Sequence, residues 1–206
     1  MMVKLTEKLR FFWSSLNLQE KLLALYILSF IDMRACPFMI GAKKIFYADI
    51  IFIFLLAVFL LKIIRDKEKI SNIYLKKSLV MMPILFAVSF LHSINLKDSF
   101  IELAGLIYLI TLFAVVSCII TTRRKLNMFL YLWLFTATCI SLIGFFAFLA
   151  AMLTKDFHSP FLFYTAIEAM AHHFPRIHST LNNANMFCTY LHVSLIFSFI
   201  LFFFRD

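Results

Sequence analysis

Long apolar runs separated by short basic clusters constrain this chain more than any other feature. A helix needs about 20 apolar residues to cross the hydrocarbon core of a bilayer, and runs near that length recur from residue 22 to residue 204. Hydrophobic residues make up 63% of the 206, with 27 Phe and only 15% charged residues. A soluble domain of this size has no use for so much apolar surface. Outer-membrane strands would alternate polar and apolar residues over about 10 positions, and no such stretch occurs. Three Gly and four Pro leave little material for turn-rich β-structure. The expected fold is therefore all-α: a polytopic membrane protein with about six transmembrane helices.

The net charge of +9 lies between the apolar runs rather than on one polar face. Loop charge that orients the spans explains it, and no nucleic-acid partner is implied. Cys36, Cys118, Cys139 and Cys188 fall within or at the ends of apolar runs without CxxC spacing. They read as small apolar fillers, not as a disulfide framework or a zinc site.

Residues 1–20 place Leu5, Leu9, Phe12, Trp13 and Leu16 at helical spacing, with Lys4, Lys8 and Arg10 elsewhere on the wheel. This predicts a short amphipathic helix on the inner membrane surface, and no cleavable signal peptide is read there. Five spans are expected within 21–153, at about 22–40, 47–64, 78–93, 100–120 and 128–153. An outward-facing loop follows at 154–183, and a sixth span lies within 184–206. The first span carries Asp32, Arg34 and Pro37 in its outer third, costly in lipid unless they face protein or water. The basic segment from Lys62 to Lys77 and the cluster Arg123-Arg-Lys125 mark cytoplasmic turns, which puts the N-terminus in the cytoplasm and the loop 154–183 outside.

That loop holds His158, His172, His173 and His178. Their spacing matches no paired-ligand motif, so no metal is expected. Its end, Arg176-Ile-His-Ser-Thr-Leu-Asn-Asn-Ala-Asn, runs directly into the sixth span. Unpartnered backbone N–H groups and the positive end of the dipole make a helix N-terminus an anion site. An arginine ahead of it offers a fork of donors that suits a pyrophosphate. Asn182, Asn183 and Asn185 are also natural helix caps. Within the sixth span, Asn185, Cys188, Thr189 and His192 share one helical face, so this stripe is expected to face protein or water rather than lipid.

These residues resemble the opening of the shared domain in the O-antigen ligase and O-antigen polymerase family of bacterial inner-membrane glycosyltransferases, whose pattern is close to R-V-x-G-T-F-x-N-P-N-x-L-A-x-Y-L. Arg176, Ile177, Thr180, Asn183, Asn185, Tyr190 and Leu191 fall on pattern positions. Ser179 stands for glycine, Leu181 for phenylalanine, Ala184 for proline and Cys188 for alanine. The resemblance implies transfer of a glycan from undecaprenyl pyrophosphate to a lipid A core sugar or another glycan at the periplasmic face, with no cofactor or obligatory metal, and makes the loop at 154–183 periplasmic. It further implies Arg176, Thr180, Asn183 and Asn185 as substrate contacts, with His178, His192 and Arg34 as further candidates. The family's chemistry is thought to depend on a large loop beyond a sixth span, so no catalytic base is assigned and the chain reads as the front half of such a protein. Two other classes fit the same residues: a non-catalytic membrane remnant or subunit, and a small transporter with a polar path along Asn185 and His192.

Overall fold

The computed structural model describes residues 14, 16–32, 38–40, 43–66, 81–82, 84, 96–154, 161–167, 172–177, 179–181 and 184–203. Helices dominate. They are α1 (Leu18–Leu28), prolonged by a 3-10 turn (Ser29–Asp32), α2 (Tyr47–Asp66), α3 (Leu96–Ile119), α4 (Arg123–Thr154) and α5 (Ala184–Phe203). Four stretches are long and apolar enough to cross a membrane: Tyr47–Arg65, Glu102–Ile119, Arg123–Thr154 and Asn185–Phe203. They coincide with the expected second, fourth, fifth and sixth spans. The amphipathic pattern of residues 4–13 lies outside the described residues, as does most of the expected span at 78–93.

The first expected span differs. Its helical part ends at Asp32, and β1 (Phe38–Ile40) pairs antiparallel with β2 (Lys43–Ile45). Arg34 and Pro37 lie outside the described residues, and the difference from the expected helix is the strand at Phe38–Ile40. A second hairpin, β3 (Leu162–Ile167) with β4 (His172–Ile177), occupies the long polar loop. Apart from these two short hairpins the described elements are helical, as expected. β3 reads Leu-Phe-Tyr-Thr-Ala-Ile, rich in aromatic and branched residues suited to a strand. Pro175 is tolerated opposite Tyr164 because a two-stranded ribbon has only edges.

The chain divides into two compact units, Met1–Ile53 with Arg124–Asp206, and Phe54–Arg123. The second unit holds most of α2 and all of α3, where Val115 and Ile119 are buried while Phe100, Ile107 and Leu109 are exposed. In the first unit an aromatic chain joins four helices. Tyr26 of α1 meets Phe52 of α2 at 6.2 Å, and Phe30 lies 6.0 Å from both Trp133 of α4 and Tyr190 of α5. Trp133 and Tyr190 are 4.7 Å apart. The Trp133 indole N–H donates to Ser194 Oγ at 2.9 Å, and Ser194 in turn donates to the Tyr190 carbonyl. Ala137, Ile140, Leu181 and Phe187 complete this core. Higher positions on α4 thus meet lower positions on α5, so the two helices run antiparallel.

One end of this unit is fixed by charge. Asn17 caps α1: its Oδ1 accepts from the Glu20 N–H, and its own N–H donates to Glu20 Oε2, both at 2.9 Å. The other carboxylate oxygen of buried Glu20 pairs with Lys125 Nζ at 2.7 Å, joining the starts of α1 and α4. Burial pushes the Glu20 carboxyl up, but the Lys125 hydrogen bond, the Asn17 N–H and the Lys125 charge outweigh it and hold the carboxyl below its ordinary 4.5. The stabilisation is therefore present above pH 4.5 and lost as pH falls through the lowered value. Lys125→Ala leaves a buried carboxylate short of a partner and should cost about 1–3 kcal/mol near pH 7. Thermal unfolding in detergent across pH checks this, because the gap between variant and parent should close in acid.

Candidate functional site

The segment between β4 and α5 is seated at the other end of α1. Ser179 has φ of 51°, the left-handed region that non-glycine residues rarely enter. Two hydrogen bonds and burial hold it there. Its N–H donates to the Phe161 carbonyl at 3.2 Å, its hydroxyl donates to the Ile140 carbonyl at 2.6 Å, and its side chain is fully buried. The approach to α4 depends on Gly144, where an added Cβ would sit 2.9 Å from Ile177 Cγ2 and 3.1 Å from Ser179 Cβ. Neither Gly144 nor the Ile140 carbonyl was singled out by sequence reasoning. A glycine within a long apolar run marks a close approach without saying of what.

Thr180 is buried, and its hydroxyl donates to the Phe30 carbonyl at 3.2 Å. That bond supplies a partner for a carbonyl at the end of the α1 turn, where helical geometry leaves acceptors open. Leu181 enters the aromatic core. Ile177, Ser179, Thr180 and Leu181 thus anchor the segment to α1, α4 and α5, and the substrate-facing groups must be sought on either side of them.

On one side lies Arg176, in β4 opposite Phe163. On the other, α5 begins at Ala184 with no acidic residue in its first turn, and Asn185 is exposed there. A positive helix end with an arginine eight positions earlier retains the elements of an anion site. His192 lies two turns further along α5, also exposed. Asn183, His178 and Arg34 lie outside the described residues, as does His158, while His172 and His173 are consecutive on β4.

Beside this segment an open groove of about 400 Å³ runs between α4 and α5, lined by Ala137, Thr138, Ser141, Phe145, Leu195 and Ser198 among others. Each of its hydroxyls is turned onto its own helix. Thr138 donates to the Leu134 carbonyl, Ser141 to Ala137, Ser194 to Tyr190 and Ser198 to Ser194. The groove therefore offers no free hydroxyl donor and presents an apolar surface despite its serines.

No protein-family description, no curated protein and no solved structure matches this chain.

Proposed function

We propose that this chain is a membrane glycosyltransferase of the O-antigen ligase type, moving a glycan from undecaprenyl pyrophosphate to a lipid A core or glycan acceptor. The reading places it in a bacterial inner membrane with about six spans, its N-terminus in the cytoplasm and the β3–β4 hairpin at the periplasmic face. The observation that carries it is the backbone at Ser179. The pattern that this segment resembles has glycine there, and the chain adopts a glycine-like φ of 51° at that residue. Ala184, at the pattern's proline, is the first residue of α5, the helical position that proline favours.

In this reading Arg176 and the α5 N-terminus stabilise the charge that develops on the departing pyrophosphate. Asn183 and Asn185 bind the donor head, Thr180 positions the segment, and the α4–α5 groove accommodates a length of the lipid chain. His178, His192 and Arg34 are further contacts at the rim. The acceptor hydroxyl needs a base, which this reading leaves to residues outside the described segment.

The test is Arg176→Ala, expressed from the full reading frame in cells deleted for the gene, with attached glycan resolved on a lipopolysaccharide gel. Attachment should fall at least about 100-fold while membrane insertion is unchanged. Arg176→Lys keeps the charge without the fork and should be intermediate. Normal attachment by Arg176→Ala would remove the pyrophosphate role. A deletion with no glycan phenotype would favour the remnant or subunit, and substrate flux in vesicles would favour a transporter.

A further inference from the structure

α5 carries two seams of the same period. Phe187, Tyr190, Ser194 and Leu201 are buried and face the rest of the chain. On the opposite side Asn185, Cys188, Thr189, His192, Leu195, Ile196, Phe199 and Phe202 are all exposed. Their spacing of three and four is that of a coiled-coil interface, with Asn185, His192 and Phe199 at one heptad position and Cys188, Leu195 and Phe202 at the other.

The upper half of this outer seam is polar at membrane depth. His192 Nδ1 lies 2.9 Å from the Cys188 carbonyl, which can only accept, so Nδ1 is assigned the proton and Nε2 is left as an acceptor. Cys188 Sγ lies 3.5 Å from the same nitrogen. Thr189 makes no hydrogen bond among the described residues, in contrast to Ser194 and Ser198 of the same helix, which donate to the carbonyls of Tyr190 and Ser194. A hydroxyl donor and an imidazole acceptor, three residues apart and both turned outward, are costly against lipid.

We infer that this seam is the interface of a parallel homodimer, in which Thr189 of each copy donates to His192 Nε2 of the other. Donor and acceptor lie on one face at a spacing that a two-fold axis along the membrane normal makes mutually complementary. Asparagine at the leading heptad position favours two strands in register. Thr189 and Cys188 take no part in the glycosyltransferase reading, whereas Asn185 and His192 serve in both, so the dimer is read from cross-linking and not from glycan transfer.

The arrangement brings Cys188 against its own counterpart, which supplies the test. In membranes containing the full chain with Cys36, Cys118 and Cys139 replaced by Ala, copper-phenanthroline oxidation should yield a reducible band at twice the mass of the reduced protein. Oxidation joins the two thiols with loss of two protons and two electrons to the oxidant. Thr189→Val with His192→Leu should cut the yield of that band at least five-fold. Moving the thiol off the seam, by Met186→Cys with Cys188→Ala, should cut it similarly and guards against loss through misfolding. No dimer band, a cross-link at the mass of a different partner, or equal cross-linking from Met186→Cys would each overturn the homodimer.

Discussion

Gly144→Leu is expected to unseat the segment that joins β4 to α5. Even the first added carbon would lie 2.9 Å from Ile177 Cγ2 and 3.1 Å from Ser179 Cβ, and neither neighbour is a flexible chain end free to swing away. Ile177 belongs to β4 and packs on the core, while Ser179 is held by its backbone and its hydroxyl. Gly144→Ala should therefore cost about 1–3 kcal/mol through overpacking, and the leucine variant more. Gly105, in α3, has nothing within 4 Å of the same added carbon. Gly105→Ala should be neutral or stabilising by up to about 1 kcal/mol, since alanine is the better helix former. Thermal unfolding in detergent separates the two glycines. Ile177→Ala combined with Gly144→Ala should recover part of the loss, because the two sites share one contact. Additive losses would place the strain elsewhere.

Trp133→Ala is expected to be the most damaging truncation in the first unit, by about 3–5 kcal/mol. The ring touches Phe30, Tyr190 and Phe197, at 6.0, 4.7 and 5.7 Å, and so joins α1 to α5 through α4. Its N–H also holds Ser194, the buried hydroxyl of α5's inner seam. Trp133→Phe keeps a ring and gives up that bond, so its cost should be nearer 1 kcal/mol. Tyr131, two positions earlier, is 53% exposed, and Tyr131→Ala should change stability by less than about 0.5 kcal/mol. Equal losses at 131 and 133 would show that aromatic content, and not this junction, sets stability.

The spans were legible where apolar length alone decides the outcome. Residues 47–64, 100–120, 128–153 and the run after 184 needed no partner to be read as helices, because a long hydrocarbon-compatible run has few other uses. The strand at Phe38–Ile40 was half legible: the charges and Pro37 were noticed, but apolar length was allowed to override them. The hairpin at 162–177 escaped because a polar loop was read by its charges, while Leu162 to Ile167 has strand composition. The turn at Ser179 could not be read at all. Its φ is set by the Phe161 and Ile140 carbonyls, the second of them 39 positions away, and no local pattern encodes such a partner. Thr180 was legible as a residue that matters, and its bond to Phe30, 150 positions earlier, shows how it serves the segment.

α4 is 32 residues long, roughly 48 Å at 1.5 Å per residue, and its apolar part from Leu126 to Leu153 covers about 42 Å. A hydrocarbon core of about 30 Å accommodates that length at a tilt of roughly 45°, or at less where the bilayer thickens around it. Ile140, whose carbonyl receives the Ser179 hydroxyl, lies at the middle of that apolar run. A change in bilayer thickness would swing the two ends of the helix in opposite directions about this point.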